Sequence, residues 1–450
     1  MPDINPYIQY MYSYPHKTAY RAMAPVPLEE YLPYLSGFAG SLYLHIPFCQ
    51  SRCGYCNLFS VTGQSVQMMD RYLSAVKRQL VQLEPLLISH GCHFSDLTIG
   101  GGTPLLLTEH QLDDLFTVLH HSPPSSALRE IVIETAPNQT AREKLRLLKQ
   151  AGVTRVSMGI QSFSDAELHT LARQHSAQKA REALDMLMSE NFSCVNIDFI
   201  YGIPGQTEAS LLKSLEEALT YAPDEIFLYP LYIKHGAGLE KQLGRGFVLN
   251  PQKAYAQYRE AARYLSASGF RQDSMRRFVK KTDGAARQFS DCGFGSSLAL
   301  GCGGRSYLGN LHFCTPYAVS QKDSLARLEE FIRTSDFTAI THGMLLSKDE
   351  QKRRFLIRHL LIYPGLDEAE YEKQFQCRAA KDFPILEEWM KKGYLARGEY
   401  LALTQDGLAL SDYLGPQLIS PEVKHRMEEW EDAHSRIRKY DNELSFINKH

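Results

Sequence analysis

The sequence predicts an α/β fold: a partial, TIM-like (β/α)6 barrel followed by a C-terminal helical, winged-helix-like domain. Six short apolar runs between residues 41 and 229 are separated by amphipathic stretches of helical period. That is the pattern of βα units around a parallel sheet. Six such strands in one continuous stretch suit an incomplete barrel better than a small doubly wound domain. Beyond about residue 325 the apolar spacing turns helical, broken by one hairpin pattern. The chain therefore divides into an N-terminal extension over 1–40, a barrel over 41–325 and a C-terminal domain over 326–450.

Residues 1–40 are rich in Tyr and Pro and lack clean periodicity, so they read as an extension lying over the surface of the barrel. Ser41–Ile46 is the first strand and Val66–Ser89 the first amphipathic helix. Strands follow at Asp96–Ile99, Glu130–Glu134, Arg155–Ile160, Cys194–Ile200 and Glu225–Tyr229. Helices fall between them at Glu109–Leu119, Arg142–Gln150, Ala177–Ser189 and Glu208–Leu219. Ala326–Thr334, Lys348–Ile362, Glu368–Gln376 and Ala380–Lys392 are helical by apolar spacing. Gly393–Ala396 and Tyr400–Leu403 form the hairpin pattern, Asp406–Leu414 is helical, and the charged stretch after Pro421 reads as a solvated helix. Helices with a two-stranded wing resemble winged-helix folds. Many of those bind DNA, but this chain has no basic excess, which favours a structural or substrate-covering role.

The 450 residues exceed what one hydrophobic core usually supports. A hydrophobic content of 44% and a charged content of 22% are those of an ordinary globular protein. The formal net charge of −2 gives no reason to expect nucleic acid or an anionic membrane as partner. No stretch approaches the ~18–20 apolar residues of a spanning helix. The start Met1-Pro-Asp-Ile-Asn-Pro6 lacks the basic and apolar regions of a signal peptide. Both features point to the cytoplasm, where cysteines stay reduced and a short-spaced set of them reads as metal-binding or catalytic. Six of the nine cysteines are scattered and suit core packing.

The other three, Cys49, Cys53 and Cys56, lie at C-x3-C-x2-C spacing directly after the first strand. Three thiolates supply three ligands where a [4Fe–4S] cluster normally takes four. On spacing alone, a zinc site with a distant fourth ligand remains open, and so do ordinary thiols. Several features at the ends of later strands bear on the choice. Gly100-Gly-Gly-Thr-Pro104 follows the second strand, and its glycines let backbone and its N–H groups approach a ligand closely. Glu134 closes the third strand and can accept from an ammonium or from ribose hydroxyls. Gln161 ends the fourth, and Arg173 follows as a natural partner for a carboxylate. Asp198 is an acid within an apolar strand and needs a partner. Each alone is more often structural; together they suit an amino-acid nucleoside beside an open-sided metal cluster better than they suit zinc.

These residues resemble the radical S-adenosylmethionine (SAM) superfamily, specifically the branch of oxygen-independent coproporphyrinogen III oxidase and its haem-chaperone relatives. The resemblance rests on Tyr43-x-His-x-Pro-Phe-Cys49, Gly100-Gly-Gly-Thr-Pro104, Gln161-Ser-Phe163 and Tyr201-Gly-Ile-Pro-Gly205, in that order. It continues weakly to Leu403-Thr-Gln-Asp-Gly-Leu408, which looks like that branch's wing. It implies a radical SAM enzyme in which Cys49, Cys53 and Cys56 ligate a [4Fe–4S] cluster. Tyr43 and Tyr55 would flank SAM, Gly101, Gly102 and Thr103 would contact its methionine part, and Glu134, Gln161, Arg173 and Asp198 would complete the pocket. Reductive cleavage of SAM would yield a 5′-deoxyadenosyl radical acting on a small-molecule substrate, with electrons from a donor such as flavodoxin or ferredoxin.

The departures from the branch point to a distinct sub-branch. The oxidases carry a further cysteine two residues past the third ligand, where this chain has Leu58. Their N-terminal Tyr-Thr-Ser-Tyr-Pro is echoed only by Tyr12-Ser-Tyr-Pro15, and Gln272-Asp-Ser-Met-Arg-Arg277 replaces the usual Tyr-Glu-x-Ser-Asn. The chaperones' His-Asn-x-x-Tyr-Trp corresponds to the tryptophan-free Arg277-Phe-Val-Lys-Lys-Thr-Asp-Gly284. Gly293-Phe-Gly-Ser-Ser-Leu298 resembles the oxidases' segment for a second SAM, and equally a last strand with a bulge. The implied reaction is therefore porphyrin-related oxidation or methyl transfer. The alternative is a non-enzymatic haem-binding or haem-delivery chaperone, with His45, His175 and His312 as candidate axial ligands.

Overall fold

A computed structural model of the chain describes residues 4–11, 13–233, 238–243, 249–281 and 295–447. The expected barrel strands form, each longer than its apolar run. Strands β1 (Arg21–Pro27) and β2 (Gly37–Ile46) precede two short segments, β3 (Phe48–Cys49) and β4 (Val61–Thr62), which pair in parallel and bracket the cysteine loop. Next come β5 (Cys92–Gly101), β6 (Glu130–Thr135), β7 (Arg155–Gln161), β8 (Cys194–Tyr201) and β9 (Glu225–Pro230). They pair in the parallel order β2-β5-β6-β7-β8-β9.

Helices α1 (Val66–Ser89), α2 (Glu109–His121), α3 (Arg142–Gln150), α4 (Asp165–Thr170), α5 (Ala177–Ser189) and α6 (Glu208–Thr220) make the crossovers. Apolar side chains on both faces of the strands are buried, as in parallel sheets generally. Reciprocal capping boxes start α2 (Thr108 with Gln111) and α6 (Thr207 with Ser210).

The sheet continues beyond these six strands. After α7 (Gly238–Leu243) and α8 (Pro251–Ala267), β10 (Phe270–Gln272) and β11 (Arg277–Lys280) extend it antiparallel past β9. At the opposite edge β12 (Ser296–Leu300) runs parallel to β2. It is followed by the antiparallel β13 (Arg305–Leu308), β14 (Leu311–Cys314) and β15 (Ala339–Leu345), with β1 outermost. The stretch read as a second-SAM segment or last strand thus enters β12 at Ser296, while Gly293 and Phe294 lie outside the described residues.

Two large cores organise the chain, beside a small third cluster of Leu171, Ile200, Ile203, Leu231 and Leu239, and their division differs from the expected one. Helix α9 (Gln321–Arg333) places Leu328, Phe331 and Ile332 in the barrel core, and Phe337 and Ile340 follow them there. The change of core comes near Met344 rather than at residue 325. The second core gathers α10 (Lys348–Leu360), α11 (Glu368–Phe375), α12 (Ala379–Asp382) and α13 (Ile385–Lys391) around Trp389, Tyr371 and Leu386. The hairpin β16 (Leu395–Arg397) and β17 (Leu401–Leu403) comes next, then α14 (Gln405–Ala409), α15 (Ser411–Leu414) and the long α16 (Pro421–Ile447). The single helix expected over Ala380–Lys392 is interrupted at Phe383-Pro384, because proline brings no N–H to the ladder. The N-terminal extension is not a surface layer. Met11, Tyr14 and Tyr20 are buried in the second core, and Leu28, Leu32 and Leu35 in the first. No helix among the described residues is long and apolar enough to cross a membrane.

At the N-terminal ends of β7 and β9 a buried ion-pair network pins the barrel. Arg155 and Arg277 both pair with Glu225. Arg277 Nη1 also reaches Asp273 Oδ2 at 3.1 Å, and Arg271 Nε reaches Asp273 Oδ1 at 2.6 Å. Removing the shared carboxylate leaves two buried guanidinium groups without it. Glu225→Ala should lower stability by about 3–5 kcal/mol, read as a fall in thermal midpoint. A midpoint equal to wild type would show that the pairs carry no weight.

Candidate functional site

The cysteine loop grows out of the C-terminal end of β2, and backbone bonds fix it on several sides. Gly102 N–H donates to Ile46 O at 2.8 Å and Thr103 N–H to Phe48 O at 2.7 Å, which carries the β2/β5 pairing into the loop. Val61 N–H reaches Pro47 O at 2.7 Å, Gly54 N–H reaches Leu171 O at 3.0 Å, and Leu239 N–H reaches Gly54 O at 2.9 Å. The Tyr317 hydroxyl donates to Asn57 O at 2.8 Å. The Gly100-Gly-Gly-Thr-Pro104 turn was expected to offer free N–H groups. Instead those of Gly101, Gly102 and Thr103 are committed, to Glu134 Oε2 at 3.0 Å and to the loop. The glycines serve approach instead: a Cβ on Gly102 would lie 2.5 Å from Phe48 O and 3.0 Å from Cys49 Sγ.

Cys49, Cys53 and Cys56 line a cavity of about 410 Å³ at the C-terminal ends of the barrel strands. Tyr55, Gly101, Gly102, Thr103, Glu134, Gln161, Arg173 and Asp198 share its wall. Eleven of the twelve residues picked from the sequence thus meet at one place, where parallel βα barrels carry their chemistry. The exception is Tyr43, which is not in that wall: its hydroxyl meets His45 Nδ1 at 3.1 Å. Side chains alternate along a strand, and His45 on the same face fills the space under the loop with Nε2 2.9 Å from Phe59 O.

The charged groups of the cavity are set by burial. Glu134 is pushed up to about 7 and Asp198 to about 6, both chiefly by desolvation, although Gly101 N–H and Asn196 respectively oppose the shift. Burial works against the charge of Arg173, but Tyr55 and Cys53 beside it outweigh that and hold the guanidinium protonated. Its Nη1 lies 3.0 Å from Cys53 Sγ and its Nη2 donates to Gly159 O at 2.6 Å, while Nε, buried, has no hydrogen-bond partner. Cys49 is pushed up to about 12 and Cys56 is also raised, by burial and by the thiol next to each. Crowded thiols of this kind deprotonate readily only beside a metal's positive charge. Among the described residues no three His, Cys, Asp or Glu side chains converge on a single-ion site. Three thiols and a protonated guanidinium lining one cavity fit an iron–sulfur cluster with a carboxylate-bearing ligand. Gln161 adds strain: its φ of 74° places a non-glycine residue in the left-handed region at a break in the β7/β8 register.

Of the histidines, His175 lies in the cavity wall with Nε2 3.1 Å from Ile160 O. Burial, then Arg173, brings it down to about 4. His45 is likewise brought down to about 4 by burial. His312 is fully buried with no partner at either ring nitrogen, away from the cavity. Sequence reasoning passed over Tyr10, Tyr229 and Tyr232, which also line the cavity. Tyr229 could have been found as the penultimate residue of β9; no local signal marked the other two.

The Radical SAM superfamily model matches residues 43–218. The heme chaperone HemW of Mycobacterium tuberculosis is 34% identical over 251 residues, which cover 55% of this chain. The chain spans 64% of that relative's length, just under two thirds. Oxygen-independent coproporphyrinogen III oxidase of Escherichia coli is 27% identical over 358 residues, 76% of each chain. The solved coproporphyrinogen III oxidase of Escherichia coli superposes with a TM-score of 0.76 at 24% identity, covering 91% of this chain and 96% of that one. That likeness is one of fold. The superfamily implies a [4Fe–4S] cluster and SAM.

Because a Cβ at position 102 would collide with Phe48 O and Cys49 Sγ, Gly102→Ala must displace the loop. Iron bound per chain after anaerobic reconstitution should fall several-fold while the thermal midpoint holds. Cys53→Ala should lose the visible absorption of the cluster. Full iron content in both variants would remove this loop as the cluster site.

Proposed function

Because the chain belongs to the radical SAM superfamily, on the branch of oxygen-independent coproporphyrinogen III oxidase and HemW, we propose that it is an enzyme that cleaves SAM reductively and acts on a small-molecule substrate. The observation that carries this reading is the three-thiol loop sharing one cavity with the guanidinium-bearing Arg173. Cys49, Cys53 and Cys56 would hold the cluster and leave one iron open. When bound and reduced, the cluster supplies one electron to the sulfonium of SAM, giving methionine and a 5′-deoxyadenosyl radical that takes a hydrogen atom from substrate.

The remaining work falls to side chains. Arg173 lines the cavity as a cation suited to a carboxylate, and its Nη1 and Nη2 each keep one N–H beyond their contacts to Cys53 and Gly159. Glu134 spends Oε2 on Gly101 N–H, and no donor among the described residues meets Oε1, which suits an ammonium or ribose hydroxyl. Tyr55, Gln161 and Asp198 complete the wall, and Gly101, Gly102 and Thr103 allow close approach of the ligand. Burial around them excludes water from a reactive radical. Porphyrin-related oxidation and methyl transfer both suit the branch. A donor such as flavodoxin or ferredoxin, and a place in the cytoplasm, belong to the same reading.

A second reading, a haem-binding or haem-delivery chaperone, is favoured by the 34% identity to HemW. In it His175 is the one of the three candidate axial ligands that lines the cavity. Anaerobic incubation of the reconstituted protein with SAM and dithionite separates the two: 5′-deoxyadenosine is expected for the enzyme. Its absence together with tight haem binding would establish the chaperone instead.

Arg173→Ala should weaken SAM binding by about 1.5–3 kcal/mol, the scale of a charged hydrogen bond. Unchanged affinity by calorimetry would leave Arg173 a packing residue. With Glu134 pushed up to about 7 and acting as acceptor in its ionised form, SAM affinity should rise as pH increases through 7. Glu134→Gln should flatten that dependence; an unaltered slope would assign it to another group.

A further inference from the structure

Behind the cavity wall one buried amide ties two wall residues together across the β7/β8 pair. Ser157 on β7 stands opposite Asn196 on β8, and Gly159 stands opposite Asp198. Residues 196 and 198 share one face of their strand, because side chains alternate. Ser157 and Asp198 are half-buried and line the cavity, whereas Asn196 is 1% exposed and does not. Asn196 Nδ2 donates to Ser157 Oγ at 2.7 Å and to Asp198 Oδ1 at 2.7 Å. Both amide protons are therefore spent, while Asn196 Oδ1 is buried with no hydrogen-bond partner. Turning the amide over would let Oδ1 accept the Ser157 proton, but would also set Oδ1 against Asp198. That arrangement suits only a protonated Asp198. The observed one leaves a buried carbonyl unmet, at a cost in stability, and suits an ionised Asp198.

We propose that Asn196 is a positioning residue of this site: it holds Asp198 by Oδ1 as an ionised acceptor and leaves Oδ2 to the hydroxyls of a bound nucleoside. No donor among the described residues meets Asp198 Oδ2. With one oxygen tied to the amide, the carboxylate is fixed in rotation, so the second oxygen has one direction left. The setting calls for such a support. Burial pushes Asp198 up to about 6, and the Asn196 hydrogen bond is the largest influence against that shift. Arg155 and Arg173 also oppose it, while Glu225 adds to it. Glu134, Tyr55 and Tyr229 are the other titratable groups that sense Asp198. The inference rests on reading the cavity as a SAM site, and it gives work to a residue outside the wall.

The test is SAM affinity against pH in the reconstituted full chain carrying Glu134→Gln, which removes the other titrating carboxylate of the cavity. In that parent, affinity should rise as Asp198 ionises, at about pH 6. Adding Asn196→Leu keeps the volume and removes both N–H groups, so the rise should move to higher pH. Asn196→Ala lacks the same groups at a smaller size and should move it likewise. The dissociation constant should then be several-fold above the parent's at about pH 6 and equal to it at about pH 9. Ser157→Ala removes only the amide's other partner and should leave the rise in place. An unmoved rise in both Asn196 variants overturns the proposal, and so does a loss of affinity equal at every pH, as packing alone would give. A move to lower pH also overturns it, because the amide would then present Oδ1 to Asp198. Formation of 5′-deoxyadenosine is scored separately. If the rise moves as expected and no 5′-deoxyadenosine forms, Asn196 keeps its role and the enzyme reading falls.

Discussion

The mouth of the barrel depends on how closely the turn after β5 approaches the chain leading into the cysteine loop. Parallel pairing of β2 with β5 ends at Ile46 and Gly101, yet Gly102 and Thr103 go on donating to Ile46 and Phe48. That continuation places Cys49 at the cavity wall rather than out in solvent, and Thr103 Oγ1 comes within 3.8 Å of its sulfur. It is possible only with glycine, since a side chain at 102 would occupy the space of Phe48 O, and one at 101 that of the His45 ring. His45 in turn supports the loop from below through Phe59 O. The loop's position is thus set by backbone approach, and the thiols inherit it.

The two ends of the barrel handle charge in opposite ways. At the N-terminal ends of the strands, Arg155, Glu225, Arg277 and Asp273 neutralise one another inside the protein. At the C-terminal ends, Glu134 and Asp198 are half-buried with no basic side chain among the described residues bonded to either, and desolvation holds both toward their neutral forms. Arg173 keeps its charge but spends it on a thiol and a carbonyl. Burying groups so poorly compensated costs stability, and such sets gather where a ligand completes them. The left-handed Gln161 backbone belongs to the same pattern of strain kept at a working site.

The legible parts of the chain were those with long or chemically distinctive local signals. The six core strands and their helices carry apolar runs or helical periods that need no partner to be recognised, and the cysteines, the glycine run and the acids at strand ends announce their chemistry by type. What was missed is non-local. β10 to β14 are three to five residues long, too short for a periodic signal, and the joins that place them in the sheet, β11 on β9, β12 on β2 and β14 on β15, reach beyond their own hairpins. Tyr14 and Tyr20 sit in an aperiodic segment, and their burial is decided by a core more than 300 residues further along the chain. Tyr43 stands apart from the other residues read from the motifs. Its motif position suggests the pocket, while its hydroxyl meets His45 Nδ1 and it is not in the cavity wall.

That non-locality explains why the C-terminal domain bears on the barrel's chemistry at all. Among the described residues its helices contribute none to the cavity wall, and its own core is gathered around Trp389 and Leu386. Yet Asp412 collects the Met11 N–H, the Tyr232 hydroxyl and the Arg276 guanidinium at one carboxylate. A carboxylate buried this deeply needs all of its donors, and a missing one would leave lone pairs unmet in a low dielectric. The three donors come from the N-terminal segment and from the two sides of α8, so satisfying Asp412 forces them into a single arrangement. The C-terminal domain therefore acts as a template for the far wall of the cavity. The cluster loop owes its place to glycines, and the opposite wall owes its place to one buried acid.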